Sequence, residues 1–498
     1  MSTASTAELR ATAVVDFAHA LVTATLNRQL HDRDGRFVHD SLQDVVQALR
    51  RFEQLGVEMP LSLQCSDDRL FHDGVPLAGP SLQARSLLRR CAERELAVLS
   101  FAPGLTADEA NRLLDLLLLA QNRTAFQRQS RDTALSALGI RHVRVMLRSP
   151  GEPDDRYRPL ASADRALHAY QDLAECLQQN HALASRDQEL AVEATAGLVE
   201  RAVAEVDEPS MLLALATQDD VDRFTVGHSV RVALLALQVA RGLGASREQL
   251  VQVGSAAMLH DIGKSKVPQE VLFKQGRLSD EEWQWMAQHP RLGAQLLLEQ
   301  HETVDPRAIG AAFCHHMRPD GGGYPQPAVP LLPCGSSRLV RVCDVFEALT
   351  SVRPYKRALT PIEAYAVMFR NECDFDPVWL RRFAHTLGLF PNGSRVTLRD
   401  GSLAMVTEQG ERPERPFVQL LTGAAGAPLV ADQPTRLQVG SCVAGRPVAI
   451  ASVAMHERLV AVPDLDPADP EILTQTAAHA CLSTRLAAGA MAPERPVR

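Results

Sequence analysis

Apolar positions recur at helical spacing over residues 8–28 and 40–55, and again over 81–94 and 106–121. Between these stretches the pattern changes. Residues 61–79, LSLQCSDDRLFHDGVPLAG, read as two short strands joined at Ser66-Asp67-Asp68. AVLSF (97–101) reads as a third strand, and GIRHVRVML (139–147) alternates apolar and polar like a fourth. Ser149 to Asp155, SPGEPDD, is a polar Pro/Gly break and a linker signal. From 160 to 217 the chain is helical in pattern and rich in Ala, Leu, Glu and Gln. That stretch is either a signalling or dimerising helix or simple packing onto the next domain. Residues 218–390 are helical by pattern almost throughout. Pro391-Asn392-Gly393 breaks the chain, and RVTLRDGSLAMVTEQ then alternates and turns at Asp400-Gly401, a hairpin signal. PFVQLL and RLQV continue the strand character, and a last helix is expected from about 469 to 488.

A chain of 498 residues exceeds what one core supports. The expectation is a multidomain protein. A mixed α/β module covers 1–150, a linker and helix 151–190, an all-α domain 191–390, a small β module 391–455, and a C-terminal helix and tail 456–498. Residues 1–150 carry no metal cluster, phosphate loop or nucleophile motif, so they are read as a regulatory or partner-binding module.

Composition changes little in this picture. Hydrophobic residues make up 46% and charged residues 22%, an ordinary globular balance. A net charge of −8 argues against a nucleic-acid polymer as partner, while a small anionic ligand stays open because only local charge matters in a pocket. Nine cysteines without a CxxC pair fit a reducing, cytoplasmic compartment. Cys314, beside His315, is either a metal ligand or a buried thiol. With no run of 18 apolar residues, no membrane span is expected.

The chemistry concentrates in the helical middle. Six of sixteen histidines fall between 228 and 316. The order His228, His260-Asp261, His289, His315-His316, Asp344 combines imidazole with carboxylate, the ligand types of borderline divalent metals. Seven such groups are too many for one ion and suit two that share a carboxylate. On a helix His260 and Asp261 point about 100° apart. The site would then lie between them near a helix end, with one Asp261 oxygen on each ion and Gly263 letting the chain leave the helix. Two metals about 3.5–4 Å apart activate a bridging water and stabilise the leaving oxygen, which points to phosphoester hydrolysis. A lone His-Asp pair would more readily be a surface pair. Asp344, after the apolar LVRVC, is costly unless metal-bound or paired, with Arg341 as the alternative partner.

Two strings carry a family resemblance: HDIGK at 260–264 and HHMRPDGGGYP at 315–325. With HSVRVA from His228, EEWQWMAQHPRLGA around His289 and RLVRVCDVFEALTSVRPYKRA around Asp344, the stretch 190–390 resembles the HD-GYP group of the HD phosphohydrolase superfamily. The resemblance implies a cyclic di-GMP phosphodiesterase yielding pGpG or GMP through a metal-bridging hydroxide. It implies metal ligation by His228, His260, Asp261, His289, His315, His316 and Asp344, with Asp261 and Lys264 catalytic. Lys264, Arg353 and Lys356 would hold substrate phosphate, and Gly323 and Tyr324 would line the substrate or a protein partner. The alternatives are an HD-type hydrolase of another nucleotide and a non-catalytic signalling module. His301 and His385 lie outside the motif positions and read as ordinary helix residues.

This chain departs from the family pattern at Met317, Ser265-Lys266, Gln269 and Glu347, none of them on the ligand list, although the resemblance puts Met317 and Glu347 near the pocket, where they would weaken activity or alter substrate choice. Some relatives place a third ion on a Glu one helical turn before the first motif His. Here that position is Phe224, so two divalent ions are expected, iron or manganese. A homodimer is also compatible with the sequence.

Overall fold

The computed structural model describes residues 6–30, 33–56, 59–66, 69–119, 135–147, 161–205, 226–272, 274, 277–329, 331–351, 358–427, 429, 435–443, 445–455 and 458–461. The chain divides into two compact units, and the division falls between Glu175 and Cys176.

The first unit contains helices α1 (Thr6–Leu30), α2 (Arg36–Gln54), α3 (Ala78–Ser81), α4 (Arg85–Ala92) and α5 (Ala107–Leu118). Its five strands are β1 (Leu61–Cys65), β2 (Leu70–His72), β3 (Val75–Pro76), β4 (Leu96–Phe101) and β5 (Val143–Leu147). They form one antiparallel sheet in the order β3-β2-β1-β4-β5. Period-two alternation sends Leu61, Leu63 and Cys65 of β1 inward. There they meet Phe17, Leu21, Leu49, Phe52, Leu113 and Leu117 from the helices. Phe17 meets Phe101 edge-on at 4.8 Å. Strand β5 starts at Val143 rather than 139. Gly139 takes φ +70°, and the Ile140 amide returns to the Leu135 carbonyl, closing a helical turn first. α5 opens on a reciprocal cap between Thr106 and Glu109, whose buried carboxylate also accepts from the Arg141 amide and meets His142 Nδ1 at 2.8 Å.

The expectation of no membrane span needs a qualification. Leu9–Gln29 of α1 is, by length and composition, apolar enough to cross a membrane. An uninterrupted apolar run is absent there because Asp16 and His19 break it. Half of that window is buried within the protein, where its apolar face joins the core just described.

α6 (Ala161–Ser185) begins in the first unit and ends in the second. The rest of the second unit opens with α7 (Val192–Glu205), α8 (Val226–Gly242) and α9 (Arg247–Leu259). A 3-10 turn over Ile262–Lys266 leads to α10 (Gln269–Leu272), α11 (Asp280–Met286), α12 (His289–Leu298) and α13 (Pro306–Cys314). Then come α14 (Gly335–Thr350), α15 (Pro361–Arg370) and α16 (Pro377–Leu387). α8 is apolar on nearly every side and is buried accordingly, between α9 and α14. Helix starts are set locally. Ser246 with Gln249 and Thr360 with Glu363 form capping boxes, and proline occupies the first turn of α13, α15 and α16.

Strands β6 (Arg395–Leu398), β7 (Leu403–Glu408), β8 (Phe417–Leu420), β9 (Arg436–Gln438), β12 (Ile450–Met455) and β13 (Arg458–Ala461) form a six-stranded antiparallel sheet in the order β13-β12-β6-β7-β8-β9. β10 (Cys442–Val443) and β11 (Arg446–Pro447) form a separate ribbon. The hairpin expected at Asp400-Gly401 joins β6 to β7, with Val396 facing Ala404. The sheet runs on to Ala461, past the boundary expected at 455. The helix expected at 469–488 lies outside the described residues.

Candidate metal centre

Helix ends carry most of the seven predicted ligands to one place. His228 sits in the first turn of α8, His260 caps the C-terminus of α9, and Asp261 begins the 3-10 turn. His289 opens α12, His315 caps α13 with His316 after it, and Asp344 lies mid-way along α14. His228, His260, Asp261, His289, His315 and Asp344 are all buried.

The role of Gly263 differs from the expected one. Its φ is not positive. A Cβ there would lie 2.0 Å from the His289 carbonyl oxygen and 2.4 Å from the Gly293 amide nitrogen. Glycine lets the 3-10 turn touch the backbone of α12, which brings His289 beside Asp261.

The imidazoles are aimed by their own backbone. Nδ1 of His260 lies 2.7 Å from the Ala257 carbonyl, and Nδ1 of His289 lies 2.7 Å from that of Met286. Nδ1 of His315 lies 3.0 Å from the carbonyls of Ala311 and Ala312. A carbonyl only accepts, so each Nδ1 carries the proton and each Nε2 presents a lone pair. These lone pairs converge on Asp261. Its Oδ1 lies 3.2 Å from His289 Nε2 and 3.6 Å from His315 Nε2. Its Oδ2 lies 3.4 Å from His260 Nε2 and 3.5 Å from His228 Nε2. The two oxygens thus face two different sets of nitrogens.

Acceptors crowd acceptors in this arrangement. The Nε2 atoms of His289 and His315 are 3.2 Å apart, and among the described residues His260 Nε2 and Asp261 Oδ1 have no hydrogen-bond partner. Protons do not resolve the conflict at His315, whose pKa burial, helped by His260, pushes down to about 3. Burial works against the Asp261 anion too, but Lys264 and His260 outweigh it and hold the carboxyl well below its usual range. Orphaned buried lone pairs around an anion are costly without a cation among them. Two groups have ligand atoms close enough to share an ion: Asp261, His289, His315 and His316, and His228, His260 and Asp344. The donor set fits divalent metal ions.

His228 is held differently. Its Nδ1 meets Glu347 Oε2, while Nε2 lies 3.2 Å from Asp344 Oδ1. Burial disfavours charge on this ring, yet Glu347 and Asp344 raise its pKa to about 9. Glu347 is anchored in turn by Arg231 Nε at 2.6 Å and Ser351 Oγ at 2.5 Å. By sequence Glu347 was a departure off the ligand list but near the pocket. The structure gives it a definite contact: it touches the predicted ligand His228 and fixes its ring. Glu347→Gln is expected to weaken divalent-ion affinity ~10–100-fold, read by competition with a fluorescent chelator. Unchanged affinity would remove Glu347 from that role.

The remaining candidates divide. Lys264 Nζ lies 2.5 Å from Asp261 Oδ2. Tyr324 stacks on His316 with ring centroids 4.6 Å apart. Gly323 has φ +78°, and a Cβ there would meet the His316 carbonyl oxygen at 2.2 Å, so this turn accepts only glycine. Arg341 donates to the carbonyls of Asp374 and His315, at 2.7 and 3.3 Å, rather than pairing with Asp344. Cys314 is a buried thiol whose pKa burial pushes up to about 11, and it joins neither ligand group. Arg353, Lys356 and Phe224 lie outside the described residues.

The HD-domain family model matches residues 213–378, the span holding all seven predicted ligands. A cyclic di-GMP phosphodiesterase of Pseudomonas aeruginosa is 38% identical over 208 residues, covering 41% of this chain and 49% of the relative. The chain carries an HD domain of the HD-GYP type. The response regulator RpfG of Xanthomonas campestris, named a cyclic di-GMP phosphodiesterase, shares 41% identity over 153 residues with this HD-GYP region, covering 30% of this chain and 39% of the relative. A 3′3′-cGAMP-specific phosphodiesterase of Vibrio cholerae shares 34% over 172 residues, covering 34% of this chain and 36% of the relative. The chain spans between about a third and a half of the length of these curated relatives.

Proposed function

We propose that this chain is a metal-dependent phosphodiesterase that hydrolyses cyclic di-GMP to pGpG or GMP. The observation that carries the reading is the division of Asp261's two oxygens between two sets of histidine nitrogens. Two divalent ions, iron or manganese, would be held by His228, His260 and Asp344 on one side and His289, His315 and His316 on the other, with Asp261 shared. Bound there, they would supply an activated water and charge for the phosphoryl oxygens. Lys264, beside Asp261, brings a cation to the leaving 3′ oxygen. Arg353 and Lys356 hold the substrate phosphate, Arg353 through its two-pronged fork. The buried histidines exclude bulk water and keep their lone pairs inward. In this reading residues 191–390 are the catalytic domain, residues 1–150 a regulatory module, and the protein works in the cytoplasm.

The test starts from protein stripped with a chelator. Stripped protein is expected to leave cyclic di-GMP intact, and manganese or ferrous iron should restore conversion, followed by product chromatography. Metal uptake should strengthen as pH rises towards about 9, because the proton held on His228 must leave first. 3′3′-cGAMP is the second substrate to include, given the Vibrio cholerae relative. Fully metal-loaded protein that leaves both compounds intact would sink the reading.

A further inference from the structure

The short helix α11 buries none of its seven residues, yet it is pinned at both ends. At its start Ser279 and Glu282 cap each other, and Lys274 Nζ donates to Glu282 at 2.5 Å. At its end the Met286 carbonyl accepts from Nδ1 of the ligand His289. α11 thus presents Trp283, 38% exposed, from a position tied to the metal centre. Trp283 meets Tyr324 edge-to-face at 5.5 Å and 78°. Tyr324 lies flat against His316, at 4.6 Å and 29°. The three rings form a row with one end among the metal ligands and the other in solvent. The contact is T-shaped rather than stacked, and Trp283 keeps part of its indole open to solvent at the outer end of the row.

We propose that Trp283, backed by Tyr324, is the shelf on which a purine base of the substrate stacks, and that it makes the site prefer purine over pyrimidine dinucleotides. The inference rests on the phosphodiesterase reading above and adds to it the residue that reads the base. Stacking suits the role because every base offers a π-face and the larger purine covers more of the indole. Trp285, two residues on, points about 200° away around the helix. At 49% exposure it serves as the control.

The experiment uses full-length, metal-loaded protein with Trp283→Ala, Trp283→Phe and Trp285→Ala. Trp283→Ala should raise KM for cyclic di-GMP about 10–100-fold, well beyond any fall in kcat, with metals retained. It should also shrink the ratio of kcat/KM between cyclic di-GMP and cyclic di-UMP. Trp283→Phe should recover most of the KM, and Trp285→Ala should behave like the parent. An unchanged KM in Trp283→Ala, an unchanged purine-to-pyrimidine ratio, or loss of metals overturns the shelf. Titration of cyclic di-GMP against tryptophan fluorescence separates the two readings. Quenching that Trp283→Phe abolishes, in a parent protein that binds but never hydrolyses, keeps the shelf and discards the phosphodiesterase. Turnover without quenching does the reverse, and a parent that neither binds nor hydrolyses discards both.

Discussion

Replacing Asp261 with alanine is expected to lower turnover of cyclic di-GMP at least ~10³-fold, a few kcal/mol of barrier. The effect should be that large because one side chain serves both halves of the centre. Oδ1 faces His289 and His315, and Oδ2 faces His260 and His228. Alanine removes the shared anion and leaves the Nε2 lone pairs of His289 and His315, 3.2 Å apart, with less reason to hold a cation. Metal content should therefore fall with activity, and elemental analysis beside single-turnover assays reads both. Lys264 loses its 2.5 Å partner as well, so part of the effect is electrostatic. Near-parental turnover by pure Asp261→Ala protein would end the bridging assignment.

The second large effect should come from a residue with no chemistry. Gly263→Ala is expected to destabilise the protein by about 3 kcal/mol or more, at the upper end of overpacking costs. The added carbon would sit 2.0 Å from the His289 carbonyl and 2.4 Å from the Gly293 amide. Both obstacles are backbone, so no rotamer change relieves them, and α12 must shift as a body. His289 moves with it, and metals should be lost before the fold is. Urea unfolding read by circular dichroism gives the first quantity, and metal content of the still-folded protein gives the second. A variant with unchanged midpoint and full metals would show that the turn and α12 can separate harmlessly.

Much of this centre was legible because its chemistry is written in residue types and order. Histidines and aspartates in the sequence His228 to Asp344 converge because most occur at or near a helix end, and helix ends are marked by caps, prolines and glycines. The strands at 61–65, 96–101, 395–398 and 403–408 were equally readable from alternation and the Asp400-Gly401 turn. What escaped is what depends on three-dimensional proximity. Glu347 is one of two acids on its helix until α8 places His228 against it. Trp283 is one aromatic among helical residues until the glycine turn lays Tyr324 beside it. Gly263 was credited to backbone conformation, whereas its need is space against another helix, which single-sequence patterns do not encode.

The way the rings are aimed bears on how such a centre tolerates mutational drift. His260, His289 and His315 take their orientation from carbonyls three or four residues upstream in their own turns. Those carbonyls belong to Ala257, Met286 and Ala311, and a carbonyl survives any substitution of the side chain that bears it. Three of the imidazoles are thus insulated from sequence change in their surroundings. His228 is not, since its ring leans on the carboxylate of Glu347, which a single codon change can remove. Divergence among proteins built this way should accumulate at that one support, altering which ion the His228 side accepts while the His289–His315 side stays as it is.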